Sequence, residues 1–163
     1  MSVTTPTPAY RRNLTVPKAW VDYNGHMGDF AYGIAFSETV SAFMGEIGLD
    51  ADYRHSAQAT LYTLDLRIGY RKECHESDPL RLALHVLDMD AKRLHLYLAM
   101  TDQAGDLLAW NTQVLLHVSQ AGATPKSARF PDSIHKTLEQ FTRQAAGLRA
   151  SLAEIDRPLG LSR

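Results

Sequence analysis

Cysteine occurs once in the chain, at Cys74. No intramolecular disulfide can form, and a four-cysteine zinc site is excluded. That composition favours a reducing, cytoplasmic setting. An excess of either charge is also missing: 17 Lys and Arg stand against 18 Asp and Glu, for a net charge of -1. Nothing therefore favours sequence-independent binding to nucleic acid or to a membrane surface. No stretch approaches the roughly 18 uninterrupted apolar residues that a membrane span requires. The leading "MSVTTPTPAYRR" has no apolar run behind a basic start, so no secretory signal is expected. Internal repeats are absent, and no low-complexity segment extends beyond that short Thr/Pro lead.

What remains is an ordinary globular chain of 163 residues with 45% hydrophobic content, enough for one domain over residues 1–163. Residues 10–16 read as a short strand ended by Pro17, which cannot donate to a ladder. Asp29 is then a reasonable helix N-cap. Behind it Phe36, Val40, Phe43, Met44 and Ile47 recur at helical spacing, and "FAYGIAF" is apolar nearly all round, as in an enclosed helix. Beyond a polar connection the period changes to two. Tyr62 to Tyr70, Leu80 to Val86, Leu94 to Met100 and Leu108 to Val118 form four alternating runs joined by short polar turns, which implies antiparallel hairpins. A final amphipathic helix is expected over residues 131–153, with Ile134, Leu138, Phe141, Ala145 and Leu148 on one stripe. The spacing thus predicts an α+β fold, an antiparallel sheet covered by one long buried helix. Its edge strands need protection, which a second copy of the chain would provide.

The residues that carry chemistry concentrate in "WVDYNGHMGDFAY", residues 20–32. Asp22, Asn24 and His26 sit at i, i+2 and i+4 in a Gly-containing loop that feeds the helix. A carboxylate can serve as general base or nucleophile, and the amides opening the helix suit an oxyanion. The same residue types are also ordinary turn material. A second stretch, "GYRKECHESDPL", places Glu73, Cys74 and His75 at the end of a strand. Neighbours on a strand point to opposite faces, so Cys74 reads as a small buried hydrophobe rather than a nucleophile activated by His75. Strict alternation sets Glu73 opposite Tyr70, so a catalytic role for it needs a bulge or an active site on that face. Glu38 on the buried helix is a reserve carboxylate, with a wet helix edge as the simpler explanation. No pair among the seven histidines has zinc-motif spacing, so no metal site is expected. Trp20, Tyr23, Tyr32, Tyr62 and Trp110 can supply aromatic faces to a pocket or a cation, although core packing is the better explanation for most of them.

Those two stretches together resemble the hotdog-fold thioesterases of the 4-hydroxybenzoyl-CoA and acyl-carrier-protein type. In that family an Asp-x-Asn-x-His segment precedes the central helix, and a Glu-Cys pair lies on the following strand. The resemblance covers residues 10–118. It implies a hotdog fold, a sheet wrapped around residues 30–47, and a homodimer or homotetramer with its active site at a subunit interface. It also implies hydrolysis of an acyl-CoA thioester with Asp22 as general base or nucleophile, assisted by Asn24, His26 and Glu73, and no cofactor beyond the substrate's coenzyme A. Gly28-Asp29 stands where those enzymes carry Asn-Asn, a departure at the oxyanion site. Some relatives place their carboxylate on the central helix near Glu38. The strand "KRLHLYLAMTDQAGDLLAWNTQVLLHV" with "WVDYNGHM" is similar to thioesterase modules of carnitine breakdown that cleave betainyl-CoA. A quaternary ammonium acyl group would suit aromatic partners from Trp20, Tyr23, Tyr32 and Trp110. Other acyl groups, an acyl-carrier-protein substrate, a dehydratase and a silent acyl-CoA-binding module are the alternatives.

Overall fold

The computed structural model describes residues 6–161. Strand β1 (Tyr10–Thr15) leads into helix α1 (Asp29–Glu46), and a short helix α2 (Ala51–Ala57) precedes strand β2 (Ala59–Tyr70). Strands β3 (Pro79–Met89), β4 (Arg93–Thr101) and β5 (Leu107–Ser119) follow, then a two-residue β6 (Lys126–Ser127) and helix α3 (Asp132–Gln144). The sheet runs β1-β3-β4-β5-β2 with β6 on β5, and all pairs are antiparallel. This is the expected α+β, hotdog-type arrangement. Among the described residues, no helix is long and apolar enough to cross a membrane.

Helix α1 buries one broad side, but Phe30 and Ile34 are 54% and 38% exposed, so its apolar first turns are not enclosed within the single chain. Ala31, Tyr32, Ala35, Phe36, Thr39, Val40, Phe43 and Met44 are all buried in it. They pack on the inner face of the sheet against Leu80, Leu82, Leu84, Leu96, Leu98 and Met100. Each such Leu or Phe contributes about 1.5–3 kcal/mol by leaving water. Thr39 avoids an orphaned hydroxyl by donating to the Ala35 carbonyl at 2.7 Å. The helix stops where Gly48 adopts φ +91° and the Leu49 amide turns back onto the Met44 carbonyl at 2.8 Å, a Schellman closure. Two local expectations are corrected. Gly28, not Asp29, is the N-cap; Asp29 is the first helical residue, and its Oδ1 accepts the next amide, Phe30 N–H, at 2.9 Å. The polar connection after α1 contains α2, started by the Asp50 carboxylate accepting Tyr53 N–H at 2.9 Å.

The C-terminal segment departs furthest from its periodicity. Helix α3 ends at Gln144, not near residue 153, because Gly147 takes φ +84° and redirects the chain. Ile134 and Leu138 join the inner core beside α1. Leu148 does not continue their stripe. It lies in a 3-10 turn (Leu148–Ser151) and packs, with Leu152 and Ile155, on the outer face against Tyr97 and Trp110. Both faces of the sheet are therefore covered, which explains why β5 is buried along nearly its whole length.

On that outer face His85 pairs in register with Tyr97 and is 4% exposed. Burial, with the Arg11 guanidinium as a second cause, pushes its pKa down from 6.5 to about 4. The unfolded chain then binds a proton near pH 6.5 that the folded chain refuses until about pH 4. Stability is complete above that window and falls as pH drops through it, by up to about 1.4 kcal/mol per pH unit for one proton. His95, shifted down by burial and Arg149, acts in the same direction. His85→Phe is expected to reduce the slope of Tm against pH on the acid side. An unchanged slope would contradict this reading of His85.

Candidate active site

Between β1 and α1 the chain makes one 3-10 turn (Lys18–Trp20) and then a tight loop. Val21 bridges to Met27, and the loop closes through Asp22 N–H to His26 O at 2.9 Å and Gly25 N–H to Asp22 O at 3.0 Å. The turn needs φ +78° at Gly25, a left-handed conformation that glycine adopts without strain. Asp22 Oδ1 accepts Asn24 N–H at 2.8 Å, so this oxygen holds the turn. Oδ2 has no protein hydrogen-bond partner among the described residues. Asp22, Asn24 and His26 all line one cavity of about 330 Å³.

The opposite wall comes from the end of β2. The Arg71 and Lys72 amides both donate to Leu108 O, at 2.8 and 3.1 Å, which breaks the strand's alternation. This is the bulge that a catalytic Glu73 requires. Glu73 Oε2 consequently lies 3.2 Å from His26 Nε2. Cys74 turns inward and is 1% exposed, and its carbonyl accepts Met27 N–H at 2.8 Å, tying the two loops together. Burial raises the Cys74 thiol pKa, as expected for a small hydrophobe and not for a nucleophile.

Tyr32 forms the cavity floor, with its hydroxyl 3.4 Å from both Cys74 Sγ and Lys72 O. Burial first, and then the bond to Cys74, hold that phenol far above its ordinary pKa. Tyr70 stands edge-on to it at 5.1 Å between centroids and donates to Asp29 O at 3.3 Å. Burial and the Asp29 carboxylate raise the Tyr70 pKa as well. At the helix entrance, Phe30 N–H is taken by Asp29 Oδ1 and Ala31 N–H by Gly28 O. Asp29 N–H has no protein acceptor among the described residues, so it is free to donate to a bound group.

Four residues singled out from the sequence lie elsewhere. Trp20 is half-buried against the core. Tyr23 is 97% exposed and points into solvent. Trp110 belongs to the outer face, 4% exposed among Tyr97, Leu148, Leu152 and Ile155, so it cannot share a cage with Tyr32. Alternation along β5 decides this: Leu98 pairs with Asn111 and Ala99 with Trp110, so Asn111 faces inward and the indole outward. Glu38 pairs with Arg12 at 3.0 Å, its side chain 52% exposed. That is the wet helix edge, not a poised base. Conversely, Tyr70 lines the cavity without having been singled out for it. Nothing in its local pattern distinguishes it, because the sheet and the helix meet there only in three dimensions. A larger cavity of about 500 Å³ lies farther along α1, lined by Ser37, Ser41, Tyr53 and Gln113. It holds no carboxylate–histidine pair, so chemistry rather than volume marks the smaller one.

The model of the thioesterase-like superfamily matches residues 16–138, a span that includes the loop, α1, strands β2 to β6 and the start of α3. The chain belongs to the thioesterase-like superfamily. Its relatives include the betainyl-CoA thioesterase of Pseudomonas aeruginosa, 37% identical over 121 residues, covering 74% of this chain and 75% of that protein. The L-carnitine dehydrogenase/betainyl-CoA thioesterase of Agrobacterium fabrum is 33% identical over 78% of this thioesterase, which in turn spans 26% of that longer protein. Among solved structures, a Staphylococcus aureus protein in complex with CoA superposes with a TM-score of 0.88 at 26% identity, covering 99% of this chain and 100% of that one.

Proposed function

We propose that this thioesterase hydrolyses acyl-CoA thioesters at the Asp22 cavity and that its acyl group is betainyl. The carrying observation is the convergence of a carboxylate with a free oxygen, a His26–Glu73 pair at 3.2 Å and the mouth of α1 on one cavity. Asp22 Oδ2 takes a proton from water, whose oxygen adds to the thioester carbonyl carbon, or it adds there itself. Asp29 N–H meets the carbonyl oxygen as it becomes an oxyanion, aided by the partial positive charge of the helix N-terminus. The C–S bond breaks, and the departing CoA thiolate is protonated through His26, which Glu73 orients. Asn24 contributes the amide that fixes Asp22. The proposed chemistry uses these side chains and one backbone amide, with coenzyme A as part of the substrate.

Support for betainyl comes from the relatives that carry this activity in their names and from the charges around the cavity. Asp22, Asp29 and Glu73 line it alongside Arg71 and Lys72, and Lys72 is neutralised by Asp106 at 2.5 Å. Tyr32 and Tyr70, rather than Trp20, Tyr23 or Trp110, line the cavity, and the half-exposed Tyr70 ring offers a face to a trimethylammonium group. The outer side of β2 has no strand partner among the described residues, and it exposes Leu64 and Leu66 by 55% and 45%. A second copy pairing along this edge would cover them and make the homodimer. The single buried cysteine fits a cytoplasmic enzyme.

Thiol release from betainyl-CoA, compared with tert-butylacetyl-CoA, its neutral isostere, and with aromatic and long-chain acyl-CoAs, tests the acyl assignment. Betainyl-CoA is expected to have the highest kcat/KM, about 10-fold or more above the isostere for a desolvated cation–π contact. Equal values for the two would remove the ammonium from the recognition.

A further inference from the structure

No two histidines have metal-site spacing in the sequence, yet the fold assembles a ligand set from distant segments. His26 comes from the loop before α1, and Glu73 and His75 come from the coil after β2. One candidate ligand atom from each lies within 4.8 Å of the other two. His26 Nε2 and Glu73 Oε2 stand 3.2 Å apart, close to the edge of a zinc tetrahedron with bonds of roughly 2.0–2.1 Å. The His75 ring is edge-on to His26, with centroids 4.9 Å apart. Its side chain is 59% exposed, so closing the remaining gap of roughly 1.5 Å takes a rotation about unhindered bonds.

Asp78 supplies the orienting group. Its Oδ2 accepts His75 N–H at 2.7 Å and lies 3.5 Å from His75 Nδ1. A carboxylate there keeps the ring proton on Nδ1 and leaves the Nε2 lone pair for a cation, the arrangement of carboxylate–histidine–zinc triads. We propose that His26, Glu73 and His75 bind a transition cation of the zinc class and that this binding reversibly shuts the active site. Two imidazoles with one carboxylate favour Zn²⁺ over Mg²⁺ or Ca²⁺, which take mainly oxygen ligands. Three protein ligands leave the fourth position to water. With its Nε2 lone pair on the cation, His26 can no longer pass a proton to the leaving thiolate. That inhibitory consequence rests on the reading of His26 and Glu73 as the proton-handling pair, whereas the cation binding itself does not.

The test is calorimetric titration of tag-free chain with Zn²⁺ and, as control, Mg²⁺, for the wild type and His75→Ala. Hydrolysis is followed in parallel by thioester absorbance, with and without Zn²⁺. One Zn²⁺ per chain is expected in the wild type, bound at least about tenfold more weakly by His75→Ala, with no Mg²⁺ uptake. Zn²⁺ should suppress wild-type turnover, while His75→Ala should turn over normally and resist the cation. Equal Zn²⁺ affinity in the two proteins would overturn the site, and tight binding without inhibition would overturn the shut-off. A chain that binds Zn²⁺ through His75 but hydrolyses no thioester would uphold the site and refute the hydrolytic reading instead.

Discussion

Asp22→Asn is expected to slow acyl-CoA hydrolysis by roughly 10²–10⁴-fold, the usual contribution of a positioned general base. The fold should survive, because the structural duty of Asp22 needs an acceptor and not a charge. Its Oδ1 accepts Asn24 N–H at 2.8 Å, and an asparagine carbonyl oxygen can do the same. Thermal unfolding and circular dichroism should therefore match the wild type while turnover collapses. Glu38→Gln is the internal control. Glu38 pairs with Arg12 on the surface at 3.0 Å, and an exposed pair of that kind contributes about 0–1 kcal/mol. Turnover should stay near the wild-type value. A crippled Glu38→Gln beside an active Asp22→Asn would move the catalytic carboxylate onto α1.

Trp110→Ala is expected to cost about 3–5 kcal/mol of stability, as for a large buried aromatic, while KM of the folded enzyme stays unchanged. The indole fills the outer face between the sheet and the C-terminal turns. Gly69 shows how closely it is seated: a Cβ there would lie 2.2 Å from Trp110 Cε2 and 2.3 Å from Nε1. Gly69→Ala must therefore push the ring into Leu148, Leu152 and Ile155, and is expected to lower stability by about 1–3 kcal/mol through overpacking. Chemical denaturation measures both variants, and betainyl-CoA kinetics at a temperature where they remain folded measures KM. A raised KM with unaltered stability would return Trp110 to the substrate site.

The two variants also mark where one-dimensional pattern stops being informative. The hairpin order and the buried helix were legible because period-two and 3.6-residue patterns each persist over many residues. Asp22, Asn24 and His26 were legible as a group because one tight turn carries all three. Trp110 reads as site-facing because the more apolar set of its strand, with Val114 and Leu116, lies on the outer face, while the polar Asn111 and Gln113 are the ones turned toward the helix. Leu148 kept helical spacing with Leu138, but Gly147 ends that register. Glu73 required a bulge that two amides sharing the Leu108 carbonyl provide, and such sharing leaves no trace in local composition. Tyr70 joined the site through tertiary closure alone.

The most direct test of the central claim is the initial rate of CoA thiol release from betainyl-CoA by the intact chain. Saturable release far above the uncatalysed rate is expected, cut roughly 10²–10⁴-fold in Asp22→Asn and retained in Glu38→Gln. Equilibrium binding of the same thioester, with no thiol released above background, would contradict it.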